Sequence, residues 1–373
     1  MARRRLKMIG LDLNRLHLDS LLAPLSAFVV FLFLRTYLES LLQTPRASLR
    51  EAVLLKKQQK DVHQEEPSLL ERQTYTQHGL YITDTDTAFL TKVVGCEGSS
   101  HVVEQKAHHG RRTLFDAVFL ICSAAHNLKR RQTARHIYGN FQNTQPYRIK
   151  IVFLVGIAKG RETEDQLSHE SLKYGDILQG NFVEHYFNLS YKTIMGYRWA
   201  QRHCRDVRLV CKIDDDVFVD VFKFFDYFLP IISIRKRVIY GYLNSKPRVH
   251  RRGKYWVGED EFSGKQYPQF CNGFFVVATQ DVIADLYQVS KTVRFFRLED
   301  VFTYGMVRET MLDVQLVHVD AITHYFNKYQ DCVNDHKYRC KYLAAEMAPD
   351  LLLEYHSLVM EHRRMLALPG GPN

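Results

Sequence analysis

A chain of 373 residues, 46% hydrophobic and 25% charged, carries enough apolar material for a substantial core, and its 23 Phe and 21 Tyr exclude disorder over most of its length. The formal net charge of +10 raises nucleic acid as a partner, but the basic residues fall in short separate runs at Arg3–Arg5, Lys129–Arg131, Arg235–Arg237 and Lys246–Lys254. No zinc-finger spacing, basic heptad region or RNP-like aromatic strand accompanies them, so a nucleic-acid partner is not expected.

The N-terminal region reads as a membrane address. Arg3, Arg4, Arg5, Lys7 and Arg15 precede an uncharged run from Leu21 to Leu34. At 1.5 Å per residue that run covers only about 21 Å, so a span needs the flanking residues as well. Positive charge ahead of the run sets the N-terminus on the cytosolic side. A cleaved signal peptide shares this layout, but Arg35, Thr36 and Tyr37 do not form a small-x-small site. The expected organisation is a cytoplasmic tail (1–18), a signal-anchor transmembrane helix (19–38), a stem (39–112) rich in Lys, Gln and Glu, and a lumenal domain (113–373). The later stem, Gly79 to Cys96, already contains strand-like pieces.

The seven cysteines form no CxxC pair and no zinc spacing. In a lumenal domain some should pair, Cys332 and Cys340 could close a short loop, and the odd number leaves at least one over; the connectivity stays open. Asn188-Leu189-Ser190 is the one sequon with a permitted middle residue, and predicts a glycosylated surface at Asn188.

The folded region opens with a strand, FDAVFLICSA (115–124), that runs into the helical HNLKRRQTARHIYGN, where Arg131 and Arg135 fall one turn apart. Arginines at a helix start beside a strand end suit a diphosphate, and suit a solvated helix face equally. YRIKIVFLVG (147–156) is a further strand, ETEDQLSHES a helix, and GDILQGNFVEHYFNLSYKTIMGYRWAQRHC leads through another helix into VRLVCKIDDDVFVD. In that last stretch Val207, Leu209, Val210, Cys211 and Ile213 predict a strand buried on both faces, which ends in Asp214, Asp215 and Asp216.

Ligands in open α/β sheets collect at the carboxyl ends of strands. Three adjacent acids repel unless a cation or a set of donors holds them, and such hard oxygen ligands favour Mg²⁺ or Mn²⁺, with a nucleotide diphosphate completing the shell. A solvated acidic turn is the competing reading of any such triplet. Context favours a site, because a helix follows at once: Phe222, Phe225 and Leu229 share a stripe, with Pro230 as the stop. Next come RVIYGYL (237–243), a basic loop KPRVHRRGKYW that reads as solvated, and YPQFCNGFFVVAT (267–279), in which Gly273 permits close approach of a ligand ring or another backbone. RFFRLEDVFTYG then carries Glu299 and Asp300 in an apolar frame, where a carboxylate either pairs with a cation or serves as a base. Strands alternating with helices predict an α/β fold with a largely parallel sheet.

Six segments in this order, RRQTARHIYG, IVFLVG, GDILQGNFVEHYFNLSYKT, KIDDDVFVD, YPQFCNGFFVVAT and LEDVFTYG, resemble the beta-1,3-glycosyltransferases of the beta-1,3-galactosyltransferase type, over roughly residues 113–310. The resemblance implies a GT-A-type fold, a mixed and largely parallel sheet flanked by helices, and a type II Golgi topology that agrees with the anchor and stem. It also implies inverting transfer of galactose or an N-acetylhexosamine from a UDP-sugar, with Mn²⁺, in beta-1,3 linkage to a glycan acceptor on a glycoprotein or glycolipid. Carried over position by position, Asp216 is the metal ligand, Asp214 and Asp215 help hold metal and nucleotide sugar, and Asp300 is the catalytic base. His356, in LLLEYHSLVMEHRRM, becomes the remaining metal ligand, with His324 and His336 as alternatives.

Arg131 and Arg135 are the candidate contacts to the diphosphate, and Trp256, Tyr267, Gly273 and Glu299 those to the substrate sugars. Ile137-Tyr138 and Cys271-Asn272-Gly273 depart from the family's usual residues, the first toward the donor and the second toward the acceptor. Donor sugar, acceptor and homo-oligomerisation are left open. Two other functions compete: a catalytically silent lumenal protein of the same fold that binds glycans or assists a partner enzyme, and a metal-dependent phosphohydrolase.

Overall fold

The computed structural model of the protein describes residues 80–96 and 114–367. The expected tail, membrane anchor and most of the stem lie outside the described residues, among which no helix is long and apolar enough to cross a membrane.

In chain order the strands are β1 (Ala117–Cys122), β2 (Ile149–Ile157), β3 (Ile177–Val183), β4 (Leu209–Asp214), β5 (Val217–Val219), β6 (Val238–Asn244), β7 (Phe270–Thr279), β8 (Gln315–His318), β9 (Ile322–Thr323) and β10 (Ala344–Glu346). The α-helices are α1 (Leu128–Ala134), α2 (Phe141–Thr144), α3 (Arg161–Tyr174), α4 (Leu189–His203), α5 (Val221–Ile232), α6 (Gln280–Ser290), α7 (Phe326–His336) and α8 (Pro349–Leu366). A seven-stranded sheet runs β3-β2-β1-β4-β7-β6-β8. Its first four strands are parallel, as the helical connections between them require. β7 lies antiparallel to both β4 and β6, while β8 returns parallel to β6. The fold is therefore mixed α/β with a largely parallel sheet and one reversed strand.

β1 is apolar along both faces, as are β2 and β4 apart from Lys150, Lys212 and the terminal Asp214, and alternation sorts their side chains between two helical layers. Val118, Leu120, Val152 and Leu154 join one core with Tyr191, Ile194 and Met195 of α4 and Ile283 and Leu286 of α6. Phe119 points the other way, edge-on to Tyr138 and to Phe224 of α5. β3 is the strand that periodicity does not reveal, since Gln179, Gly180 and Asn181 interrupt its apolar run.

Two expected boundaries move. α5 passes Pro230 and ends at Ile232; the residue four back, Asp226, is exposed, so water can take the carbonyl that proline leaves unpaired. Residues 80–96, within the expected stem but with strand-like pieces that already suggest the folded unit, pack onto that unit. Ile82 and Val93 are buried, Leu90 N donates to Gln179 O at 2.8 Å, and Cys96 is disulfide-bonded to Cys204. The polar Thr83–Thr87 stretch conceals this docking because its partners, such as Arg198 reaching the Asp84 carbonyl, lie far away in sequence. Cys332–Cys340 closes the short loop, and Cys122, Cys211 and Cys271 are free and buried.

The sequon is also corrected. Asn188 is only 4% exposed, its Nδ2 donates to Val183 O at 2.9 Å, and the Ser190 hydroxyl donates to Phe296 O. A motif gives residue types and says nothing of burial, and this asparagine is part of the packing. Peptide N-glycosidase should leave the mass of the protein unchanged, while Asn188→Gln should cost about 1 kcal/mol in urea unfolding as that hydrogen bond is lost. A mass decrease on enzyme treatment that disappears in Asn188→Gln would refute this placement.

Candidate active site

The three consecutive acids leave β4 at its carboxyl end and divide their work. Asp215 is turned into the protein: its Oδ2 accepts from Ser123 Oγ at 2.7 Å and Asn127 Nδ2 at 2.9 Å, and its Oδ1 from Arg130 Nη1 at 2.7 Å. Its backbone N–H donates to Cys122 O, so it staples the turn to the end of β1. Asp214 and Asp216 flank it with side chains 38% and 29% exposed. The pair that faces solvent is thus the first and third acid.

Beyond the turn, Tyr138 grips β5, accepting the Val219 N–H at 2.9 Å and donating to Val217 O at 3.2 Å. This tyrosine, one of the departures from the family pattern, supports the acidic corner from below. Met347 N donates to Asp216 O, which ties the same corner to the residue after β10.

The predicted arginine contacts are placed differently from expectation. Arg131 is buried, with its guanidinium held by both oxygens of Glu170 and by the carbonyls of Ala124 and Ala125. Arg135 forks onto Asp176 at 2.7 and 2.8 Å, lies 2.7 Å from Glu170 and stacks over the Tyr174 ring. Both fasten α1 and its π-helical continuation (Arg135–Gly139) to α3, which leaves them committed to the scaffold. Arg130, about 100° round the helix from Arg131 and on the side away from Arg135, faces the acids, 2.7 Å from Asp215 and 3.8 Å from Asp216. The spacing identified a basic helix; it could not say which face met the site.

Opposite the acids, Glu299 and Asp300 lead into a π-helical segment, Val301–Val307. Asp300 is partly exposed, and its carboxylate accepts the Val301 N–H at 2.9 Å and also the Gly273 N–H. Burial raises its pKa despite these donors, so it is more basic than a free aspartate. Glu299 is buried; loss of solvent, reinforced by the charges of Asp300 and Asp214, pushes it up to about 7 against the pull of Lys212 and the Thr193 hydroxyl. Lys212 lies between the two walls, its Nζ 2.8 Å from Asp214 Oδ1, 2.5 Å from Gly273 O and 3.5 Å from Glu299 Oε2.

Gly273 acquires a concrete reason from this arrangement. It is Glu299 and Asp300 that approach its backbone: a Cβ here would collide with Glu299 Oε2 and lie 3.4 Å from Asp300 Cβ. Gly273→Ala is expected to lower stability by about 1–3 kcal/mol and to depress turnover through Asp300. Wild-type melting and kinetics in that variant would remove the close approach as an explanation.

The remaining candidates scatter. Tyr267 belongs to the core, packed on Phe262 and Phe296. The Trp256 carbonyl receives Arg297, whose guanidinium also grips Glu261 and covers Phe187. Tyr186, which sequence reasoning passed over, faces the cleft: after burial, Tyr255 and then the charges of Asp300, Asp214 and Glu299 raise its phenol. The Lys254 ammonium sits over both the Tyr186 and Tyr255 rings. His356 is buried in α8, edge-on to His136, and burial holds its pKa down to about 4, so its imidazole is neutral. His324 contacts the Tyr242 and Phe274 rings, and His336 ends α7.

Among the described residues no three His, Cys, Asp or Glu side chains form a ready metal cage. Two open carboxylates at one strand end still fit a divalent cation of the kind that shares its shell with a ligand's phosphates.

The site thus holds a strand-end pair of partly exposed carboxylates and a donor-held aspartate that burial makes more basic. Residues 129–320, just over half of the chain, match the Galactosyltransferase family, and the chain belongs to that family. It is 29% identical to beta-1,3-galactosyltransferase 5 of Homo sapiens over 246 residues, 64% of this chain and 76% of that one. It is 32% identical to the Pan troglodytes beta-1,3-galactosyltransferase 5 over 56% of this chain and 70% of that one, and 28% identical to beta-1,3-galactosyltransferase 1 of Mus musculus over 62% and 70%. The protein is a glycosyltransferase of this family.

Proposed function

We propose that the protein transfers galactose or an N-acetylhexosamine from a UDP-sugar to a glycan acceptor in beta-1,3 linkage, by an inverting, metal-dependent mechanism. The observation that carries the reading is that the partly exposed Asp214 and Asp216 at the end of β4 are joined through Lys212 and Gly273 to the partly exposed Asp300. Asp300, held by two backbone N–H groups, accepts the proton of the acceptor hydroxyl as that oxygen attacks the anomeric carbon. The bond to UDP breaks on the opposite face, the configuration inverts, and no covalent enzyme intermediate forms. Asp216, assisted by Asp214, would hold a divalent cation, Mn²⁺ by preference, whose chemistry is to neutralise charge on the leaving diphosphate. Arg130, beside Asp216, adds a fixed positive charge there.

The reading includes a type II Golgi membrane location, which the resemblance implies and the basic N-terminus with the apolar run after it supports; the Cys96–Cys204 and Cys332–Cys340 disulfides suit an oxidising lumen. The test is UDP release by the purified protein across a panel of UDP-sugars, with Mn²⁺ or EDTA and a mixed glycan acceptor pool. Release that needs metal, one donor and an acceptor is the expected result and names the donor. Phosphate or sugar-phosphate release without acceptor overturns the reading in favour of a hydrolase, and UDP binding without release favours a silent glycan-binding relative.

A further inference from the structure

One charged side chain in the core of the sheet is left without a role by the mechanism above. Lys212 occupies the middle of β4, is 1% exposed, and pairs in register with Leu120 on one side and Val276 on the other. An ammonium in such a place is costly unless every N–H is used and its charge is met. Both conditions hold here. Its three donors go to Asp214 Oδ1, Gly273 O and Glu299 Oε2, and the two carboxylates outweigh burial and hold its pKa above that of a free lysine.

These partners belong to different walls of the cleft. Asp214 ends β4 on the donor side, Gly273 lies in β7, and Glu299 immediately precedes the base, Asp300. The Gly273 N–H binds the Asp300 carboxylate while the Gly273 carbonyl binds Lys212, so one peptide unit of β7 and its neighbour connect the ammonium to the base.

We propose that Lys212 is a positioning residue for the transfer, one ammonium that fixes the donor-side Asp214 relative to the acceptor-side Glu299–Asp300 turn. The inference rests on the functional reading above. It makes Asp214 and Glu299 energetically dependent on each other through a third side chain, rather than as two acids that merely repel.

The test is a double-mutant cycle of Asp214→Asn and Glu299→Gln, read on kcat/KM and on UDP affinity by calorimetry with Mn²⁺, in the wild-type and Lys212→Met backgrounds. Non-additivity of about fivefold or more is expected with Lys212 present, and a fall to under about twofold in Lys212→Met. Simply multiplicative effects in the wild-type background overturn the proposal, as does the same coupling in both backgrounds, which would mean the acids act on each other directly. If Lys212→Met does not fold, Lys212→Gln takes its place, and the wild-type cycle, which leaves Lys212 untouched, already decides whether the walls are coupled. The calorimetric arm needs no turnover. UDP binding without transfer would therefore count against the functional reading while still deciding the role of Lys212.

Discussion

Asp300→Asn is expected to lower kcat by about a thousandfold while leaving UDP affinity within about twofold of wild type. The asparagine oxygen can still accept from the Val301 N–H, so the turn that presents it should survive. What disappears is the capacity to take a proton. Because burial raises the Asp300 pKa, the wild-type rate should climb with pH through a limb above the ordinary aspartate range, the ionised form being the active one. That limb should vanish in the variant. Concurrent loss of UDP binding and of thermal stability would instead make Asp300 a helix-capping residue and leave the base unassigned.

Most of the sheet was legible because β1, β2, β4 and β7 are long apolar runs whose burial leaves few alternatives. The acidic corner was legible for the same reason, as an abrupt break in such a run. What escaped depends on contacts distant in sequence. Nothing near Arg131 or Arg135 announces Glu170 and Asp176, and without those partners the choice of Arg130 as the arginine facing the acids cannot be made. Asp215 reads like Asp214 in the sequence, and only its bonds from Ser123 and Asn127 separate the two. Lys212 did leave a signal: a charge within an otherwise apolar strand, two residues before an acid, must find counter-charges if the strand is buried. The roles proposed for Asp216 and Asp300 come from the resemblance. Its weakest extension, His356, falls in a helix where the contact at hand is another histidine.

The division of labour among the three acids leads to opposite failures for adjacent substitutions. Asp216→Ala removes a partly exposed carboxylate beside Arg130, so UDP affinity in Mn²⁺ should drop about tenfold or more and lose its sensitivity to EDTA. Asp215→Ala strips acceptors from Ser123, Asn127 and Arg130 together, while the backbone bond from residue 215 N–H to Cys122 O remains to tie the turn to the end of β1. The cost should be about 2 kcal/mol in urea unfolding, moderated because Arg130 is one-third exposed and water can take up part of its charge. Donor binding should weaken only as far as the turn loosens, and Asp215→Asn, which keeps one acceptor oxygen, should recover part of both. If Asp215→Ala unfolds like wild type yet cannot bind UDP, while Asp216→Ala binds it normally, the ligand-facing acid is the middle one and the orientation of the whole turn must be reversed. An acidic triplet in sequence cannot distinguish these outcomes, but the inward hydrogen bonds of Asp215, set against the partly exposed side chains of Asp214 and Asp216, do.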